Sequence, residues 1–229
     1  MVKVSLIVPT YNEKENLPLL AERVFKAVGE SKLDLEMLVV DDDSPDGTAK
    51  VAEDLSKKYP IKVIVRKTDK GLSPAVLEGF KHANSEIIGV MDADLSHPPE
   101  KILELVKALE KADFAVGSRR APGGCVENWP LYRRIISAGA ALLARPLVKV
   151  SDPMSGYFFL KKKLVEGKEF NPIGYKIMLE ILVKTGIKNI AEVPITFKDR
   201  ALGKSKIGFK VYKQYLTHLA RLYAYKISS

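Results

Sequence analysis

The stretch from Ile87 to Glu100 reads IIGVMDADLSHPPE. An apolar run this short, breaking off into two aspartates around one alanine, fits a buried strand that ends at a chemically active turn. The proline pair at 98 and 99 then opens a helical stripe made by Ile102, Leu103, Leu105, Val106 and Leu109. Upstream, Val4 to Val8, Met37 to Val40 and Val63 to Val65 are further apolar runs. They are continuous rather than alternating, as parallel strands covered on both faces require. Leu17, Leu20, Val24 and Val28 recur at helical spacing between the first two, and a fifth run, Phe114 to Val116, leads into Gly117, Ser118 and Arg119. The rhythm predicts an α/β fold: a Rossmann-like, open and mostly parallel sheet with helices on both faces.

In such sheets ligands bind outside the carboxyl ends of the strands. The first strand delivers Pro9, Thr10, Tyr11, Asn12 and Glu13, the second Asp41, Asp42 and Asp43, and the fourth Asp92, Ala93 and Asp94. Converging on one edge, so many carboxylates raise one another's pKa and are costly unless a cation sits among them or some stay protonated, and a bound divalent metal is the simplest resolution. Their oxygens suit Mg²⁺ or Mn²⁺, while His82, His97 and His218 have no zinc-ligand spacing. Asp46, in the turn from Ser44 to Gly47, reads as a cap for the following helix.

The second half has a different character. After the Gly123, Gly124 loop come a helix from Pro130 to Ala144, a strand from Ser155 to Leu160, a helix around Ile177 to Leu182 and a strand from Ile190 to Phe197. Basic groups collect here: Arg119 and Arg120, Arg133 and Arg134 with Ser137, and Arg200 with Lys204 and Lys206. Each set suits a phosphate. Arg120 and Arg134 read as solvated surface charges, Arg119 as functional because it leaves a strand end beside the acidic edge. A C-terminal amphipathic helix carries the stripe Ile207, Val211, Tyr215, Leu219, Leu222 and Tyr223 together with Lys206, Lys210, Lys213, Arg221 and Lys226. Its apolar side is expected on the protein's own core, with membrane contact as the alternative.

Composition bounds the answer. With 229 residues, 46% of them hydrophobic, the chain can bury one sizeable core. A formal net charge of +9 and a pI near 9.4 suit a phosphate-bearing partner, whether nucleic acid, nucleotide or anionic membrane. The single cysteine, Cys125, has no internal disulfide partner and reads as an inert thiol in a reducing compartment. No signal peptide is recognisable at the start, and Arg145 and Lys149 interrupt even the Ala/Leu-rich segment after Trp129. Gly203, Lys204 and Ser205 mimic the end of a P-loop, but residue 198 is lysine where its first glycine should stand. An RNP-like aromatic motif is missing and the candidate edge is acidic, which disfavours a basic nucleic-acid-binding protein.

Several stretches together resemble family-two glycosyltransferases with a GT-A fold: PTYNE at 9–13, VVDDDSPDGT at 39–48, KGLSPAV at 70–76 and MDADLSHPPE at 91–100. GSR at 117–119, ENWPLYRRIISAGA at 127–140, SDPMSGYF at 151–158, NPIGYK at 171–176 and EVPITFKDR at 192–200 narrow the resemblance to the dolichyl-phosphate mannose synthases, in their compact form without added membrane-spanning helices. The resemblance implies one glycosyltransferase domain, with residues 1–119 as the nucleotide-sugar half and 120–229 as the acceptor half. It implies GDP-mannose as donor, dolichyl or polyprenyl phosphate as acceptor, and Mg²⁺ or Mn²⁺ as cofactor. UDP-glucose is the alternative donor of a sister activity. The implied location is peripheral, on the cytosolic face of a membrane (endoplasmic reticulum in a eukaryote, plasma membrane in an archaeon), with small membrane-anchoring subunits as possible partners and no nucleic acid.

By position, the resemblance puts Pro9, Tyr11, Glu13, Val40, Asp42, Lys70 and Gly71 around the nucleotide and Asp92, Ala93 and Asp94 at the metal and donor diphosphate. Arg200 and Lys206 would close over the donor, and Arg119, Arg133 and Ser137 would hold the acceptor phosphate. Asp92, Asp94, Arg119 and Arg133 would then carry the catalysis. Ser96 stands among the metal residues where many relatives carry glutamine, and its shorter side chain would reach a metal through water.

Overall fold

The structure is a computed structural model and describes residues 1–29, 31–199 and 209–228. The continuous apolar runs of the first half become parallel strands: β1 (Val2–Thr10), β2 (Leu33–Asp41), β3 (Ile61–Val65) and β4 (Ile87–Val90). Between them run α1 (Asn16–Val28), α2 (Thr48–Leu55) and α3 (Leu72–His82), and α4 (Ile102–Ala108) follows the proline pair. Register decides what these strands deliver. Thr10 lies level with Asp41, so β1 and β2 end together; Val90 lies level with Ile7, so β4 stops three residues lower and Met91 to Asp94 continue toward the same rim.

Alternation of side chains along each strand splits the core in two. Val4, Leu6 and Val8 pack with Met37 and Val39 against α1, α2 and α4. Ile7, Leu38 and Val40 face the opposite way, with α3 and the helices of the second half.

The second half departs from a purely parallel sheet. It contains β5 (Phe114–Ser118), β6 (Cys125–Val126), α5 (Leu131–Ala144), β7 (Phe158–Lys161), α6 (Ile177–Thr185), β8 (Ile190–Pro194), β9 (Thr196–Phe197) and α7 (Phe209–Ser228). The seven-stranded order is β3-β2-β1-β4-β7-β5-β8, and β7 is antiparallel to both its neighbours while β5 and β8 are parallel. An antiparallel strand enters at the carboxyl end of parallel neighbours. The loop before β7 is therefore held at the same rim as the acidic strand ends. The strand expected from Ile190 to Phe197 is two strands: β8 ends at Pro194, just before Ile195 donates to the Ser118 carbonyl at 3.0 Å, and β9 joins β6 in a small second sheet.

The stripe of α7 packs on the protein, as expected. Tyr215, Leu219 and Leu222 are buried, and the hydroxyls of Tyr215 and Tyr223 donate to the carbonyls of Ala140 and Leu143 on α5 at 2.6 and 2.7 Å. Ile207 and Lys206 lie outside the described residues. No helix among the described residues is long and apolar enough to cross a membrane.

Gly89 in β4 lies directly under the Phe159 ring, so a Cβ there would collide with it. Gly89→Ala should lower stability by about 1–3 kcal/mol through overpacking. The check is urea unfolding, where the midpoint should fall with an unchanged slope.

Candidate active site

A cavity of about 610 Å³ opens at the common rim of the sheet. Its lining includes Pro9, Tyr11, Glu13, Asp42, Lys70, Gly71, Asp92, Ala93, Asp94 and Ser96 together with Arg119, Arg133 and Ser137. Thirteen of the sixteen sequence-derived site residues thus face one space. Val40 does not: it is fully buried in the core beneath, because the strand's alternation turns its side chain toward α3, away from the rim. Arg200 and Lys206 lie outside the described residues.

The run of three aspartates is compensated by the protein itself. Asp41 accepts from Thr10 Oγ1 at 2.8 Å and from the backbone and hydroxyl of Ser44. Asp42 takes the Arg66 guanidinium at 2.6 Å on one oxygen and the Gly71 N–H at 2.6 Å on the other. Asp43 pairs with Lys70 at 3.2 Å. Gly71 adopts φ +144, open to glycine and awkward for other residues, and this conformation presents its N–H to Asp42. Burial raises the Asp42 pKa above the ordinary carboxylate range, only partly offset by Gly71 and Arg66. Asp46 does not cap α2 from the N-cap position, which belongs to Gly47; it binds the Thr48 N–H and hydroxyl and the Lys14 N–H, and so ties two strand-end loops together.

The second acidic turn is built differently. Asp94 accepts from both the backbone and the hydroxyl of Ser96, bridging the left-handed Leu95 at φ 63. Positive φ at a bulky residue is strained, and Asn12 and Asp43 at the neighbouring strand ends share it. His97, 2% exposed, accepts the Asp92 N–H on Nδ1 at 3.3 Å, stacks on Tyr157 and meets Phe197 edge-on. This holds the imidazole as the neutral tautomer with its proton on Nε2.

In the same cavity, Arg119 is locked in place. Its Nε and Nη2 donate to the two oxygens of Asp152 at 2.7 Å each, and its backbone N–H adds a third bond at 3.0 Å. Burial would raise the Asp152 pKa, but the hydrogen bonds and charge of Arg119 outweigh it and hold the carboxyl below its usual range. Arg133 pairs with Asp199 at 3.0 Å and lies 4.3 Å from the centre of the Trp129 ring, which Arg119 also faces at 5.5 Å. Ser137 accepts from Arg120 at 3.2 Å, so Arg120 is less detached from the site than a solvated charge. Arg134 donates to the Val126 carbonyl, and exposed Cys125 sits beside Thr196, outside the cavity lining.

Four contributors were not singled out from sequence: Arg66, His97, Asp152 and Lys176. Arg66 follows β3 directly, and the strand-end rule applied to basic residues as well as acids would find it. Asp152 and Lys176 sit inside quoted motifs, yet their role depends on the antiparallel entry of β7, which no local pattern announces. His97 lies in the decisive stretch but gives no signal beyond its missing zinc spacing.

Residues 5–178 match the profile described as "Glycosyl transferase family 2". The chain belongs to glycosyl transferase family 2. This glycosyltransferase is 51% identical over 226 residues to a dolichol-phosphate mannosyltransferase of Pyrococcus furiosus, covering 96% of the chain but only 64% of that longer protein. It is 42% identical to the dolichol-phosphate mannosyltransferase of Saccharomyces cerevisiae, across 100% of the chain and 90% of the relative. In three dimensions it matches glucosyl-3-phosphoglycerate synthase from Mycobacterium tuberculosis, in complex with Mn²⁺, UDP-glucose and phosphoglyceric acid, with a TM-score of 0.73 at 20% identity over 96% of this chain and 80% of that one. The glycosyltransferase therefore has an α/β, GT-A-like fold.

Burial lowers the His97 pKa from 6.5 to about 4. The folded state resists a proton that the unfolded chain accepts, so the stability tied to His97 is complete above pH 6.5 and lost as pH falls toward 4. The loss should be on the order of 3 kcal/mol. Urea unfolding from pH 6.5 to 4.5 should fall more shallowly for His97→Gln than for the parent; identical slopes would place the acid sensitivity elsewhere.

Proposed function

We propose that this glycosyltransferase moves mannose from GDP-mannose to dolichyl phosphate, or another polyprenyl phosphate, by a single inverting displacement. The observation that carries the reading is one cavity whose lining holds both a set of carboxylates, Asp42, Asp92 and Asp94, and the arginines Arg119 and Arg133. A nucleotide diphosphate with its cation suits the first set and a phosphate monoester the second. The two mannosyltransferase relatives supply the sugar and the lipid. Within one domain, residues 1–119 form the donor half and 120–229 the acceptor half, with Arg119 at the seam.

A phosphate monoester is already ionised near neutral pH, so no protein base is needed to create the nucleophile. An oxygen of the acceptor phosphate bonds to the anomeric carbon as the bond from that carbon to the diphosphate oxygen breaks, and GDP departs with the electron pair. Arg119, held by Asp152, and Arg133, flat on Trp129, hold the acceptor in line. Asp42, Arg66 and Gly71 shape the nucleotide end.

Asp92 and Asp94 fit Mg²⁺ or Mn²⁺. Among the described residues no group of three or more His, Cys, Asp or Glu is arranged to hold a metal unaided. Two carboxylates are nonetheless what a hard cation uses when substrate phosphates complete its shell. Ser96 donates to Asp94 and orients that carboxylate. When bound, the cation supplies Lewis-acid stabilisation of the leaving diphosphate.

Recovery of labelled lipid in the organic phase tests the reading. GDP-mannose with a polyprenyl phosphate should give product and UDP-glucose should not; EDTA should abolish it, and Asp94→Ala should lose at least about a hundredfold in rate. Product from UDP-glucose alone would transfer the reading to a glucosyltransferase.

The acceptor also calls for a lipid surface. Leu131, Tyr132, Ile135 and Leu142 of α5 are each more than 60% exposed, and the same helix lends Ile136, Ser137 and Ala140 to the cavity. Peripheral docking through α5 predicts retention on anionic liposomes, weakened severalfold in Ile135→Glu with soluble-acceptor activity unchanged. Failure of the parent to bind liposomes would shift anchorage to a partner subunit.

A further inference from the structure

Lys176 stands at the N-cap of α6 and lines the cavity. Its ammonium has three donors. Among the described residues it makes one hydrogen bond, to the Met154 carbonyl at 3.1 Å, and no ion pair. Two N–H groups of a partly buried cation are therefore left without a carboxylate among these residues.

Its surroundings identify the kind of ligand. Met154 belongs to the loop before β7 that carries Asp152, the clamp on Arg119, and Gly156, where an added Cβ would lie 3.3 Å from Asp92 Oδ2. One short loop thus joins the acceptor arginine, the acidic turn and Lys176. Arg119 has Asp152, Arg133 has Asp199, and Arg66 and Lys70 have Asp42 and Asp43. Among the described residues, Lys176 is the cation of this rim that forms no ion pair; Asp92 and Asp152 act on it through the field alone. Burial and the positive field of Arg119 lower its pKa to about 8, against the opposing pull of Asp92 and Asp152.

We propose that Lys176 is a third cationic contact for the acceptor phosphate, donating to a phosphoryl oxygen beside Arg119 and Arg133. This rests on the acceptor reading above. A dianionic phosphate brings the ion pair that the described residues do not form with Lys176, and Arg119, already neutralised by Asp152, does not supply a full positive charge by itself. The donor diphosphate is the poorer match, since its end of the cavity pairs its own cations with Asp42 and Asp43.

The test uses a soluble short-chain isoprenyl phosphate as acceptor, with the parent, Lys176→Met and Lys176→Arg. Lys176→Met should raise the acceptor KM about tenfold or more, the loss of one charge-assisted hydrogen bond, with the GDP-mannose KM within about twofold of the parent. Lys176→Arg should recover part of the loss. Calorimetric GDP binding, unchanged in both variants, reports that the fold and donor end are intact. An unchanged acceptor KM in Lys176→Met, or a rise confined to the GDP-mannose KM, overturns the assignment. No transfer by the parent itself refutes the acceptor reading instead, so the two failures are distinguishable.

Discussion

Parallel strands in a fixed register decide where the residues after them go. Once Thr10 is paired with Asp41 and Ile7 with Val90, the side chains that follow are gathered at one rim whatever their charge. The first consequence is repulsion, and the rim is organised around relieving it. Asp41 is absorbed by hydroxyls and backbone N–H groups, Asp42 by Arg66 and Gly71, and Asp43 by Lys70. Paired in this way, buried charges add little net stability, because desolvation cancels much of the attraction. Their value is positional: each pair sets a donor or acceptor at a known place before a ligand arrives.

The antiparallel strand β7 extends the same constraint to the cations. It pairs Phe158 with Val90, so the preceding loop, residues 151–157, must start at the rim. That loop brings Asp152 to Arg119, the Met154 carbonyl to Lys176 and Gly156 to Asp92. Had β7 run parallel, its entry loop would lie at the opposite end of the sheet and Arg119 would face the acidic turn without its clamp. The topology and the electrostatics of the site are thus one arrangement.

How far the sequence reveals this depends on whether a feature is local. Continuous apolar runs identify β1 to β5, and carboxylates at their ends place Asp42, Asp92 and Asp94, because strand ends and chain order carry that information directly. The rim's cations are only half legible. Arg119 follows a recognisable strand, whereas the need for Asp152 beside it arises from pairing between β7 and two strands distant in sequence. Val40 is placed at the nucleotide by resemblance alone, and the two-residue alternation of the strand sends its side chain into the core. His97 is invisible for a further reason, since burial and stacking, not residue type, make it a neutral brace for the Asp92 backbone.

Helix α5 carries the argument outward from the rim. A helix buried on both sides would show little exposed apolar surface, and a solvated one would be polar on its outer face. This one sends Ser137 and Ala140 toward the cavity, offers the Ala140 and Leu143 carbonyls to tyrosines of α7, and leaves Leu131, Tyr132, Ile135 and Leu142 uncovered. Contiguous apolar exposure of that kind is costly in water. A phosphate bound at Ser137 would carry its hydrocarbon tail along the same helix that displays these residues, so head-group recognition and contact with an apolar phase follow from the two faces of a single element.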